Sequence, residues 1–353
     1  MPLVNFQTLA QNTNRKVAIV AAARNEAAYL ADWIFHHLYF GFSPVLVYVN
    51  RSTDSSAEVV RRIAAVVPEV QLLSGDGFEG KNNVQLAAYG DARRRLRCGL
   101  TRQDYVHFAD IDEFWTPANF DVPVQGVLES AGWPKIASFN WFQLLSDGEP
   151  FAPPMAQRQY GQHHHLVKTT IRQGLPVIRQ SVHTVRTAWP MKRWSASGAH
   201  ISSRTPYRTP NAPQSFGPAF ILHRLFRSPI EYLAMLGRGR PAFQEKLFKD
   251  NRYGYRQLEG KAEPMRAFHI KSDTLAQYEE ARIEFLGRTG IAELTVQTQQ
   301  NVRREALQVL NQYQALSVEE KQRWSLQFRN LDLAGISESG GEKSGDPFAR
   351  KIP

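Results

Sequence analysis

Asp110 and Asp112 stand two residues apart near the end of the run 104–115, DYVHFADIDEFW. On an extended chain such residues share a face, so the spacing aims both carboxylates the same way and turns Ile111 inward. Two adjacent carboxylates repel one another and resist desolvation unless a cation joins them. A hard divalent ion, Mg²⁺ or Mn²⁺, is the chemical match. An acidic strand end facing water is the plainer account of the same residues, and Glu113, facing the other way, reads as a structural anchor. Further candidate polar groups are Arg24, Asn25 and Glu26, and the cluster from Asn50 to Asp54.

The elements that must position these groups follow from hydrophobic pattern. Residues 16–23, 44–50, 70–73 and 104–109 are short, apolar and rich in β-branched or aromatic residues, as fully buried strands are. Between them, Leu30, Ile34 and Leu38, then Val59, Ile63 and Val66, recur at helical spacing, and residues 82–97 read as a third helix. Ser52, Asp54 and Ser55 supply N-cap chemistry. Strands alternating with helices predict an α/β fold with a mostly parallel sheet, flanked by helices and joined by right-handed crossovers. In such sheets ligands bind beyond the carboxyl ends of the strands, where all three polar clusters fall and helix N-termini offer free N–H groups. No GxGxxG follows the first strand and no GxxxxGK[ST] occurs anywhere, which disfavours a dinucleotide fold or a P-loop ATPase.

Beyond residue 124 the pattern loosens. A short helix and a strand at 135–144 carrying Trp141 and Phe142 precede a Pro- and Gly-rich region with β-like runs at 166–172, 181–187 and 220–226. Ser228 caps a helix, helical periodicity dominates the C-terminal third, and the tail ISESGGEKSGDPFARKIP has the composition of a disordered segment. The expected organisation is a domain at 14–240, divided into a nucleotide-binding half (14–120) and an irregular acceptor-side half (121–240). A helical extension (241–335) and a disordered tail (336–353) complete it.

Composition narrows the partners. The chain has 353 residues and a formal charge of +10, which favours anionic ligands. The single cysteine, Cys98, permits neither a disulfide framework nor a thiolate zinc site and suits a reducing compartment. With no stretch of about 18 consecutive apolar residues and no signal-peptide pattern, the expected location is the cytoplasm. The arginine run 93–97 is a solvated helix face or a contact with an anionic membrane surface.

Several motifs, taken in order, resemble the family 2-like glycosyltransferases of the GT-A fold, in the branch related to glycosyltransferase family 92. KVAIVAAARNEAAYLADWIFHHLYFGF resembles that branch's opening, VYVNRSTDSS its Y.N.STD, and Gln85 with Tyr89 and Asp91 its Q..aY.D. ADIDEFW resembles D.DEF, and HRLFRSPIEYLAMLGRGR resembles a late HY..KS segment. The matches span residues 16–240. The resemblance implies a GT-A type, Rossmann-like sheet and transfer of a sugar, with inversion, from a nucleotide-diphosphate sugar to a glycan or lipid-linked acceptor hydroxyl. Asn25, Glu26, Asn50, Asp54 and Gln85 would then serve nucleotide-sugar binding. Asp112 would bind Mn²⁺ or Mg²⁺, and Asp110 would meet the ribose or the ion.

The resemblance also bears on residues whose own signal is weak. His183 and His223 fall where it expects a histidine and are candidates for metal or diphosphate, although a lone histidine is as readily a core residue. The histidines 163–165 read as loop residues. Lys168, Arg172, Arg227 and Arg238 are candidate phosphate clamps, or simply solubilising cations. Tryptophans 133, 141, 189 and 194 suit sugar stacking or core packing. Asp147 is the preferred general base with Glu149 second, against a plain turn at Ser-Asp-Gly, and here the chain departs from the family's glycine-containing loop.

Two other functions fit parts of the sequence. One is a sugar-phosphate nucleotidyltransferase, disfavoured because AAARNEAAYL lacks a glycine-rich phosphate loop. The other is a non-catalytic basic binder of anionic polysaccharide or nucleic acid; no recognised nucleic-acid-binding pattern is present, so nucleic acid is not an expected partner.

Overall fold

The computed structural model describes residues 15–78, 81, 83–145, 149–238, 247–256 and 263–339. Four apolar runs build one half of the sheet: β1 (Val17–Ala23), β2 (Val45–Val49), β3 (Val70–Ser74) and β4 (Tyr105–Phe108). They lie parallel in the order β3-β2-β1-β4. The connecting helices are α1 (Ala27–Tyr39), α2 (Ser56–Val66) and α3 (Val84–Gly99). The α3 N-terminus is fixed by Asn83, whose side-chain oxygen accepts from Leu86 N. Just after β3, Gly75 approaches Asn50 so closely that an added Cβ would lie 2.9 Å from the Asn50 Cβ.

The remaining strands make the sheet mixed, which corrects the expectation of a mostly parallel one. After β5 (Glu113–Pro117), α4 (Val124–Ser130) and β6 (Ile136–Leu144), the chain runs back through β7 (Arg158–Arg172). β7 is antiparallel to both β4 and β6 and joins the two halves. Next come β8 (Val177–Gln180), β9 (Val185–Thr187), β10 (Trp194–Ser195) and β11 (Ala219–His223). β11 is parallel to β6 and antiparallel to β5, giving the order β3-β2-β1-β4-β7-β6-β11-β5. β8 and β9 form a separate hairpin. Alternating burial along much of β7 suits a strand in an antiparallel pairing, whereas β1 and β2 are buried on both faces. The histidines 163–165, expected in a loop, lie in β7.

The run 104–115 is not one strand. β4 ends at Phe108, and residues 110–113 turn with Glu113 N donating to Asp110 O at 3.1 Å. The chain then crosses to the far edge as β5. Asp110 and Asp112 therefore sit on a turn, not on one extended face.

After residue 225 come α5 (Pro229–Gly237), β12 (Arg266–His269), α6 (Ser272–Arg288), α7 (Ala292–Ala315), α8 (Val318–Phe328) and α9 (Leu333–Ser339). β12 adds to β7. α9 extends into the stretch read as a disordered tail, and residues 340–353 lie outside the described residues. Two compact units result: Met1–Leu145 with Pro153–Leu225 and Ala262–Thr298, and Ser146–Ala152 with Phe226–Lys261 and Gln299–Pro353. The first holds the sheet, with α6 Tyr278 hydrogen-bonded to His36 of α1 at 3.0 Å. In the second, Ser228 and Glu231 form a capping box on α5, and Phe248 packs against Trp324 and Phe328. Among the described residues no helix is long and apolar enough to cross a membrane.

Candidate functional site

The turn after β4 is built around a buried lysine. Lys168 on β7 is fully buried, and its Nζ lies 2.9 Å from Glu113 Oε2 and 3.1 Å from Asp110 Oδ2. The Glu113 Oε2 atom also accepts from Asp110 N at 2.9 Å. Gln85 of α3 donates to the other Asp110 oxygen and, at 2.7 Å, to Tyr89 OH. Burial alone would lower the Lys168 pKa, but the Asp110 and Glu113 carboxylates reverse this and hold it above its ordinary value. Burial pushes Glu113 up to about 7, opposed by Lys168 and reinforced by Asp110. Lys168 therefore serves as a structural counter-ion beneath the turn, with no exposed surface for a phosphate.

Helix α1 pins the same turn from the other side. Trp33 Nε1 donates to both Asp110 O and Glu113 O at 3.0 Å. Farther along, His36 Nε2 meets Trp115 O at 2.9 Å, and Trp115 N donates to His37 Nε2 at 3.3 Å. Sequence reasoning assigns no role to Trp33, His36 or His37. Their signal in the sequence is a set of polar-tipped aromatic residues on an otherwise apolar helical stripe.

Asp112 lies between the two paired carboxylates, and its Oδ2 is 3.5 Å from His223 Nε2 at the end of β11. That separation exceeds a good hydrogen bond. His223 and His183 flank the Trp141 ring, with centroids 4.4 and 5.2 Å away, and His164 stacks on it at 5.7 Å. Trp141 Nε1, His183 Nδ1 and His223 Nδ1 are buried without a hydrogen-bond partner. Burial holds His183 and His164 down to about 4, so both rings are neutral at pH 7 and keep a lone pair. Among the described residues no three His, Cys, Asp or Glu side chains are grouped to hold a metal ion by themselves.

The remaining candidates occupy the ends of β1 and β2. Asn25, in the left-handed region at φ 54°, accepts from Thr53 N at 2.8 Å, while Asn25 N donates to Ser52 Oγ at 3.0 Å. Glu26 N donates to Ser56 Oγ at 3.0 Å. Both Asp54 oxygens are engaged in capping: one accepts from Ala27 N at 3.0 Å, the other from Ser56 N at 2.9 Å. Asn50 is buried and its Oδ1 has no partner.

Other predicted residues stand elsewhere. Arg172 donates to Trp133 O at 2.7 Å and Tyr105 OH at 3.2 Å, at the opposite end of β4 from the turn. Arg227, Arg238 and Glu149 belong to the second unit, where Glu149 is exposed. Asp147 lies outside the described residues.

No protein-family model matches this chain, and no curated protein matches it in sequence. Function has to be read from the residues themselves.

Proposed function

We propose that the first unit is a metal-dependent glycosyltransferase domain of the GT-A type, acting on a nucleotide-diphosphate sugar. The observation that carries this reading is the division of roles at the turn after β4. Asp110 and Glu113 share one buried lysine, while Asp112 between them has its carboxylate 3.5 Å from His223 Nε2.

The donor set suits a hard divalent ion. Adjacent ligands of an octahedral ion with bonds of about 2.1 Å lie about 3 Å apart, close to the Asp112–His223 separation. Mg²⁺ commonly takes one or two protein ligands and fills its shell with water and substrate phosphate, so a site lacking three grouped protein ligands is compatible. Asp112 and His223 would hold the ion. Bound there, Mn²⁺ or Mg²⁺ would neutralise charge developing on the departing diphosphate.

The protein's own contribution is positioning. Lys168 and Gln85 fix the Asp110 carboxylate, and Trp33 fixes the backbone on either side of Asp112. Asn50, buried at the end of β2 with its Oδ1 unpartnered, stands at the strand end where the nucleoside would lie. Asn25, Glu26 and Asp54 shape the same strand ends, with Asp54 acting through the α1 N-terminus that it caps. In the transfer itself the acceptor oxygen bonds to the anomeric carbon as the bond to the diphosphate oxygen breaks. The electron pair leaves with the nucleoside diphosphate, the hydroxyl proton passes to a base, and the anomeric configuration inverts.

Calorimetric titration with UDP- and GDP-sugars, with and without Mn²⁺, tests the reading. Ion-dependent donor binding that Asp112→Asn removes is the expected result. Pyrophosphate release from a nucleoside triphosphate and a sugar phosphate would instead indicate a nucleotidyltransferase.

A further inference from the structure

Between Pro150 and Ile230 the chain carries eleven Lys or Arg residues and no Asp or Glu. That stretch alone is enough to supply the +10 excess of the whole protein. Part of this charge converges on a cleft of about 690 Å³ formed by the β8–β9 hairpin and the segments at 188–193 and 203–207. The lining includes Arg179, Arg186, Arg193 and Arg204 and contains no acidic side chain.

Arg179 and Arg186 are directly opposed partners in the β8–β9 register. Like charges facing across a strand pair destabilise it, and no carboxylate among the cleft's lining residues offsets either one. Arg193 plays a different part, donating to Thr184 Oγ1 at 2.9 Å and Val185 O at 2.6 Å and so holding the hairpin. Arg179, Arg186 and Arg204 are exposed. Trp189, 57% exposed, and Tyr207, 38% exposed, add two aromatic faces to the same cleft. Guanidinium forks match carboxylate and phosphate oxygens, and flat aromatic faces pack against the apolar faces of sugar rings.

We propose that this cleft binds a saccharide carrying an oxyanion, phosphate or carboxylate, and presents it as the acceptor. The anion is held by Arg179, Arg186 and Arg204, and its ring lies against Trp189 and Tyr207. The volume falls within the range of about 300–1,000 Å³ that suits a small ligand, which favours a short saccharide over an extended nucleic acid. The hairpin tip connects the cleft to the carboxylate turn. Ser181 and Thr184 line the cleft, while His183 between them packs on Trp141, itself in ring contact with His223. The acceptor role rests on the glycosyl-transfer reading, whereas binding of the anionic saccharide stands without it.

The test is a tryptophan-fluorescence titration of the full chain without donor. Ligands are a trigalacturonate, a phosphorylated disaccharide, a neutral galactose trisaccharide and a short oligothymidylate. The charged saccharides are expected to bind at least ten-fold more tightly than the neutral one, and their ranking identifies carboxylate or phosphate. The Arg179→Gln/Arg186→Gln variant should lose ten-fold or more of that affinity while its melting temperature holds or rises, because a repulsion has been removed. Asp112→Asn should leave saccharide binding unchanged. Equal affinity for charged and neutral saccharides, full binding by the double variant, or tighter binding of the oligothymidylate would overturn the proposal. Saccharide binding by a protein that fails to bind nucleotide sugar would leave the cleft assignment standing and remove its acceptor role.

Discussion

Lys168 Nζ and Glu113 Oε2 lie 2.9 Å apart with both side chains fully buried, joining the centre of β7 to the first residue of β5. Removing one partner of such a pair leaves an uncompensated charge and costs about 3–5 kcal/mol, whereas apolar replacement of both partners is often tolerated. Lys168→Met should therefore lower the urea-unfolding free energy by that amount, and Lys168→Met/Glu113→Leu should recover part of it. A single variant as stable as wild type would show that the pair is not what holds the turn.

Trp33 acts on the same turn through two hydrogen bonds from one indole N–H. Trp33→Phe keeps most of the apolar volume but takes a donor from the buried Glu113 O and from Asp110 O, which retains Glu113 N, a loss of about 1–3 kcal/mol. Because those carbonyls bracket Asp112, donor affinity should weaken together with stability. Unchanged donor affinity in a destabilised variant would assign Trp33 to the core alone.

Acid sensitivity follows from three buried histidines that contribute no ligand at the carboxylate turn. Burial lowers His36 and His107 to about 3, and His37 well below its ordinary value. Unfolded histidines take up protons near pH 6.5, while the folded ones stay neutral until far lower pH. The unfolded state thus binds more protons throughout that window, and stability falls as pH is lowered through it. Between pH 7 and 5.5 each histidine should remove about 1 kcal/mol of stability. Burial also holds His163, His164 and His183 down to about 4, which adds to the loss, and raises Glu113 to about 7, which opposes it. Chemical denaturation at the two pH values reads the sum, and stability that rises toward pH 5.5 would contradict burial of neutral rings.

The parallel half of the fold is legible in the sequence because residues 16–23 and 44–50 are apolar on both faces, a pattern that admits little besides buried strands, while 70–73 forms a short, partly exposed edge strand beside them. The mixed half is not. Only the run at 166–172 signals a strand in the sequence and it carries no information about direction, whereas β7 starts at Arg158 and its antiparallel entry determines the sheet. Lys168 resembles a phosphate clamp in sequence because its anions lie 58 and 55 residues earlier, on a turn that its own burial helps to define. Asp110 and Asp112 stand out by type and spacing, yet the extended geometry expected of them fails at the bend pinned by Trp33. The acid-free stretch between Pro150 and Ile230 is visible in the sequence, but its meaning requires the register that sets Arg179 against Arg186.

His223 provides a graded test of the proposed metal centre. His223→Gln removes one of two protein ligands and should lower Mn²⁺ affinity by at least the roughly 10–100-fold that disturbing only a ligand's hydrogen-bond partner costs. Gln85→Ala, which acts on Asp110 and not on Asp112, should reduce donor affinity less than Asp112→Asn does. The reverse order would move the metal role from Asp112 to Asp110.

The most direct measurement is calorimetric titration of UDP and GDP into wild type and Asp112→Asn, each with Mn²⁺ and again after EDTA. The account predicts that at least one nucleotide binds wild type with Mn²⁺, that chelation abolishes the signal, and that Asp112→Asn shows none under either condition. Nucleotide binding that survives both EDTA and Asp112→Asn would contradict a metal-dependent diphosphate site at this turn.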